Sequence, residues 1–249
     1  MLTFFNIKDY RCIHIYTDKS NWKLVLKDLY AGAIAQPFFF FLDAERGYHI
    51  KVFAADITEK EIDSISQQVK ALPLIAKTAQ LDPIFLDVPS NAVIPVYKIN
   101  EFIDFMVESD AHADQLEKLL VAYSKAIFTA LLKKDYFLEE SKRINFAIQV
   151  AFLSLVRAEL SEIKQSLING FKIDPNSIPA VDTVLINFFK DVQKIEDEPL
   201  DEWVKMCIEA SEAYLSTAPY HSIVEGICQI LEVRSFTNQL LYTTLGVLK

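Results

Sequence analysis

Apolar and polar positions change period partway along the 249-residue chain. Over the first hundred residues, short segments of period two alternate with longer ones of helical period. "RCIHIYT" (11–17) is rich in β-branched and aromatic residues and predicts a strand. "NWKLVLKDLYAGAIA" (21–35) places Trp22, Leu24, Val25, Leu26, Leu29 and Ile34 so that a helix buries one face. "PFFFFL" (37–42) predicts a second strand, with Pro37 tolerated at its first position. The polar turn "DAERG" follows, with Gly47 able to take a positive φ, and then the alternating strand "YHIKVFA" (48–54). Thr58 and Glu61 have the spacing of a capping box and open the helix "TEKEIDSISQQVKAL". "NAVIPVYKI" (91–99) is the last strand of the series, and Pro95 inside it predicts a sheet edge.

The order β-α-β-β-α-β predicts an α+β fold of the ferredoxin-like kind. Its antiparallel four-stranded sheet carries the helices near 21–35 and 58–72 on one face, and its first and third strands form the central pair. From about residue 100 the strand signals stop. Long helical periods run through 112–135, with Ser109 and Asp110 as caps, and through "KRINFAIQVAFLSLVRAELSEIKQSLING", which ends at the Asn169-Gly170 C-cap. "DPNSIP" (174–179) breaks the pattern, and helical segments near 180–194, 199–216 and 220–245 follow, with Pro199 in a first helical turn. The expected organisation is therefore a ferredoxin-like subdomain over 1–105 and a helical subdomain over 106–249 packed against its sheet.

Composition narrows the function classes. With 51% hydrophobic residues the chain is an ordered globular protein, and its net charge of −9 argues against nucleic acid and anionic membranes as partners. No run of about 18 uncharged apolar residues or secretory signal is read, so a soluble, cytoplasmic protein is expected. Cys12, Cys207 and Cys228 form no CxxC pair and read as reduced core thiols. Phosphate-binding glycine loops, HExxH and GxSxG are absent, and His14, His49, His112 and His221 are scattered; no metal and no cofactor is expected. The acidic run "EDEPLDEW" (196–203) reads either as a cation or basic-peptide site or, more simply, as carboxylates complementing a helix start.

Alternation puts His49, Lys51 and Phe53 on one face of their strand and Tyr48, Ile50 and Val52 on the other. His14 and Tyr16 share a face of the first strand. If that side of the sheet is covered, the two central strands make a polar floor; if not, the face is simply wet.

The stretch "IHIYTDKSNWKLVLKDLYAGAIAQPFFFFLDAERGYHIKVFA" resembles the opening of the thiopeptide-type bacteriocin biosynthesis domain. That domain is the C-terminal, elimination domain of lantibiotic dehydratases and also occurs as stand-alone proteins. Its members carry an aromatic run ending in an Arg-Tyr pair, an acidic turn, and a strand of the form HLRLRF, on which His49 to Ala54 falls. Tyr97, in "VIPVYKINEF", matches a strand-ending tyrosine. "RSFTNQLLYTTLG" is similar to the family's HMHxNRLxG helix, with Asn238 on its asparagine. Several family positions differ: Leu42 and Asp43 replace the Arg-Tyr pair, Lys51 and Phe53 replace the strand's arginines, and Arg234 and Phe236 stand where histidines belong.

The resemblance implies maturation of a ribosomally synthesised peptide, by a lyase reaction that eliminates glutamate from glutamylated Ser or Thr. It makes His49 and Lys51 the catalytic candidates and His14, Tyr16, Arg46, Tyr97, Arg234 and Asn238 the substrate-binding ones. A precursor peptide is the implied partner, with a separate glutamylating dehydratase subunit or a second copy of the chain also open. Two alternatives stand beside elimination: pyridine-forming cycloaddition, as in other stand-alone members, and non-catalytic binding of a precursor peptide.

Overall fold

The computed structural model describes residues 3–4, 10–43, 47–73, 91–96, 106–107, 110–134, 139–156, 187, 201–215, 220–233, 237, 240–241 and 244. The elements are β1 (Thr3–Phe4), β2 (Arg11–Tyr16), α1 (Trp22–Asp28), β3 (Phe38–Asp43), β4 (His49–Ala54), α2 (Glu59–Lys70), β5 (Ala92–Val96), β6 (Met106–Val107), α3 (Asp110–Lys134), α4 (Glu140–Val156), α5 (Glu202–Leu215) and α6 (His221–Ile230). A four-stranded antiparallel sheet has the order β3-β4-β2-β5, with helices dominating the chain after it. The first and third strands of the βαββαβ series are therefore central, and Pro95 lies on the edge strand, where its missing N–H costs no central ladder bond.

Register sorts the side chains into two faces. Ile13, Ile15, Phe38, Phe40, Leu42, Ile50 and Val52 share one, all buried. The helices α1 and α2 cover it. Tyr30, just beyond α1, packs its ring 4.7 Å from Phe38, and Arg11 reaches the carbonyl of Ile57 and the carboxylate of Glu59 at the start of α2. Phe39 and Phe41 take the opposite face against Phe53, with ring centres 5.1 Å apart in both pairs. The run of four phenylalanines is thus divided two and two, and all four are buried.

Local chemistry explains the ends of these elements. Thr58 caps α2 by accepting from the Glu61 N–H, while Glu61 accepts from the Thr58 N–H in return. Gly47 closes the β3–β4 turn with φ of 104°. The first helix is shorter than its apolar pattern predicts. A π-type turn over Leu29–Ala33 contains Gly32 at φ 111°, and this left-handed residue stops the helix before Ile34. Thr17, Asn21 and Asn91 form a buried network that ties the end of β2 to the start of β5: Thr17 Oγ1 donates to Asn91 Oδ1 at 2.8 Å and accepts from Asn21 Nδ2 at 3.0 Å.

The helical half meets the sheet along its edge. Helix α3 runs beside β3, whose Phe40 N–H donates to Ser124 Oγ at 3.0 Å, so a side chain satisfies a backbone group the sheet leaves over. Helix α6 also packs on β3. Within the half, Tyr123 and Ser211 hydroxyls pair at 2.6 Å and Tyr220 donates to the Ala151 carbonyl at 2.8 Å. The three cysteines are buried thiols; burial pushes Cys228 up to about 12 and Cys207 higher still, which keeps both unreactive.

Two further features differ from the sequence-based expectation. The strand β6 lies beyond residue 100 and pairs back onto β1; two residues are too few to carry a pattern. The single helix expected over 220–245 is interrupted after Ile230. Val233 N–H returns to the Cys228 carbonyl and Glu232 N–H to that of Gln229, a Schellman closure with Glu232 at φ 59° where glycine is usual. Thr237, Leu240, Leu241 and Thr244 are again helical. The C-cap at Asn169-Gly170, the break at 174–179 and nearly all of the 180–194 segment lie outside the described residues.

Candidate functional site

The face opposite α1 and α2 is graded from apolar to polar along its strands. Its cross-strand rows are Phe39–Phe53–Cys12–Val96, then Phe41–Lys51–His14–Ile94, then Asp43–His49–Tyr16–Ala92. Aromatic packing anchors the first row and ionisable groups fill the third. These polar groups are not solvated: His49 is 2% exposed and Lys51, His14, Asp43 and Tyr16 are all buried. The covered-floor alternative therefore describes this face, and the wet-face alternative does not.

Lys51 Nζ and Asp43 Oδ2 form an ion pair at 2.8 Å. Two desolvated charges at this distance neutralise one another, and neither would be tolerated alone. Beside them, His49 Nδ1 lies 2.8 Å from the Gly47 carbonyl. A carbonyl only accepts, so Nδ1 carries the hydrogen and Nε2 is the nitrogen that exchanges a proton. Nε2 faces Asp43 Oδ2 at 3.9 Å. The imidazole packs against two rings, with centres 5.0 Å from His14 and 4.6 Å from Tyr16, both inclined to it by about 25° or less. The arrangement offers one orientable proton carrier, one neutralised cation and an aromatic-histidine floor.

A second ion pair lies on the helical side. Arg143, near the start of α4 and 2% exposed, donates from Nη2 to the carboxylate of Glu232 at 2.7 Å. Burial pushes the Glu232 carboxyl above the usual carboxylate range, and the Asp43 charge adds to the effect, although Arg143 and Lys19 oppose it. The Glu232 pair is thus electrostatically continuous with the sheet cluster.

The structure brings together His14, Tyr16, His49 and Lys51 of the residues expected from sequence. Arg46, Tyr97, Arg234 and Asn238 lie outside the described residues. Sequence reasoning missed Asp43, Arg143 and Glu232. Period-two alternation was enough to find Asp43, which follows Phe39 and Phe41 on the same face. Nothing in the local pattern around Arg143 or Glu232 marks them, because their pairing spans 89 positions. Within the acidic run, Glu202 is in the first turn of α5 and pairs with Lys133 at 2.6 Å, as a helix-start carboxylate does. Among the described residues, no three His, Cys, Asp or Glu side chains converge to hold a metal ion, and no helix is long and apolar enough to cross a membrane.

No protein-family model and no curated protein sequence matches this chain. Among solved structures it is similar to the pyridine synthase TbtD from thiomuracin biosynthesis, with a TM-score of 0.52 at 10% sequence identity. The likeness covers 96% of this chain and 97% of that one, and at this identity it is a likeness of fold.

Proposed function

We propose that this chain matures a ribosomally synthesised precursor peptide by a pyridine-forming cycloaddition between two dehydroalanines. The observation that carries this reading is the buried Asp43–Lys51 ion pair. Glutamate elimination calls for cations that stabilise an enolate and a departing carboxylate. Lys51 is the cation on the family's strand motif, and Asp43 already neutralises it. Cycloaddition asks instead for two olefins held in contact while two ring bonds form. The ring then becomes a pyridine by losing water and the peptide amide borne on one joined carbon, steps that need a proton moved at a defined position. The His49 imidazole, fixed by Gly47 and packed against His14 and Tyr16, supports that role. In this assignment His49 handles the proton, Lys51 with Asp43 orients the peptide, and His14 and Tyr16 line the floor. The sequence-based assignments of Arg46, Tyr97, Arg234 and Asn238 to substrate binding complete it. The likeness in fold to a pyridine synthase supports the same choice.

The dehydroalanines would come from a separate glutamylating dehydratase acting earlier on the same peptide, in the cytoplasm. The test incubates the purified chain with a synthetic peptide carrying two dehydroalanines, and separately with a peptide carrying glutamylated serine. Mass spectrometry and ultraviolet absorption follow both. Loss of both olefins with growth of a pyridine chromophore is expected from the first peptide. Glutamate release from the second, with the first untouched, would return the reading to elimination; binding of the first without turnover would leave a peptide-binding subunit.

A further inference from the structure

Among the described residues, three cations lie toward the end of the sheet that carries Asp43 and His49, and they differ in how they are held. Lys51 is matched by Asp43 at 2.8 Å and Arg143 by Glu232 at 2.7 Å. Lys19 is not matched in this way. It sits on the 3-10 turn Lys19–Asn21 just after β2, and its Nζ lies 4.2 Å from the centre of the Tyr48 ring and 5.8 Å from that of Trp22. No carboxylate of a described residue is in ion-pair contact with it. The position is half-buried, and burial, followed by the Arg143 charge, holds the ammonium below its ordinary value, against weaker opposite effects of Glu232, Glu140 and Asp18. A further donor at the same aromatic corner, the buried indole N–H of Trp22, has no hydrogen-bond partner.

We propose that Lys19, held over the Tyr48 and Trp22 rings, is a binding site for a carboxylate of the peptide that enters the polar end of the sheet. The inference rests on the peptide-maturation reading and deepens it by naming a recognition element. Ring faces hold an ammonium in place without neutralising it, so the side chain is ordered in advance and its three donors stay available. A carboxylate is the chemistry that completes such a group, because a charge-assisted bond is worth about twice a neutral one. Lys51 and Arg143 are each committed to a partner, which leaves Lys19, among the described cations at this end, to meet a ligand carboxylate. The carboxylate comes either from an acidic side chain or from a peptide C-terminus, and the two sources separate experimentally.

The test labels the lysine side chains isotopically and follows the Lys19 ammonium by NMR, assigned with Lys19→Met. N-acetylglutamate α-amide serves as the side-chain probe and N-acetylalanine as the C-terminal one. Binding of either should raise the pH at which Lys19 titrates, and the probe that does so identifies the source. In parallel, a dye-labelled peptide with two dehydroalanines and one glutamate is titrated at constant ionic strength. Lys19→Met should weaken binding about tenfold, Lys19→Arg should largely restore it, and a peptide with its carboxylates replaced by amides should not distinguish the variants. Unchanged Lys19 titration with both probes overturns the site. Altered titration without any cycloaddition keeps the site and removes only the reaction assigned above.

Discussion

The two faces of the sheet are both buried but are built differently. Under α1 and α2, the central positions are Ile13, Ile15, Ile50 and Val52, flanked by Phe38, Phe40 and Leu42. Nothing there needs more than packing. On the opposite face, Phe39, Phe41 and Phe53 supply an equivalent core at one end, and Asp43, Lys51, His14, His49 and Tyr16 fill the other. Burying that second set gains little for folding, since ionic pairs of this kind are often no more stabilising than apolar residues of the same volume. Buried ionisable groups clustered in one covered place are where function is sought first.

The largest effect tests the shared part of the two faces. Phe39→Ala and Phe40→Ala remove fully buried rings from opposite sides, and each should cost about 3–5 kcal/mol in denaturant unfolding. A much smaller loss for Phe39 would mean that the second face is loosely covered and carries no core equivalent to the first.

The next effect separates charge from packing. Asp43→Asn leaves the Lys51 ammonium buried without its counter-charge and should cost about 3 kcal/mol. The paired change Asp43→Leu with Lys51→Met should recover most of that loss while abolishing peptide turnover. Sequence alone suggests that Lys51→Ala would leave folding nearly intact. The ion pair reverses that expectation, because Asp43 would then be the buried, unmatched charge.

A smaller stability effect with a larger functional one belongs to His49. His49→Gln removes the stacked imidazole and weakens the contact with the Gly47 carbonyl, which should cost about 1 kcal/mol. Turnover of the dehydroalanine peptide should fall by about 10²–10⁴, the range for a lost proton carrier. Turnover that survives this change would make the imidazole a piece of floor and nothing more.

The split between the faces explains what was legible in the sequence. Period-two alternation placed His49 with Lys51 and divided the four phenylalanines, because a strand's side chains obey a local rule. Topology followed from the order of elements, and Pro95 marked the edge. The ionic partners were not legible in the same way. Asp43 obeys the local rule but reads as the first residue of a turn, "DAERG". Arg143 meets Glu232 only because α4 and α6 pack together, and no local period encodes a meeting between distant helices. The interruption at Glu232 was hidden for a related reason: a left-handed cap is expected at glycine, and here it falls on a glutamate whose side chain pairs with the distant Arg143.

The smallest effect lies on the covered, apolar side and serves as the control. Thr58→Ala removes the cap of α2 and should cost about 1 kcal/mol, with no change in peptide binding. The same cap predicts a pH dependence through Glu61. Its carboxyl lies below the ordinary value of 4.5 because the Thr58 N–H donates to it, with further bonds from the Thr58 hydroxyl and the Ala35 N–H. A depressed folded-state pKa means that the unfolded chain takes up the proton first. The stabilisation is therefore complete above the unfolded value and is lost as pH falls through the folded one. Comparing melting temperatures of the wild type and Glu61→Gln across acid pH should show a gap near neutrality that closes once Glu61 is protonated in both states. The gap should be modest, because the group is exposed and solvent screens it. If Thr58→Ala instead disturbed peptide turnover as strongly as His49→Gln, the helix-covered face would share in function and the division between the two sides of the sheet would not hold.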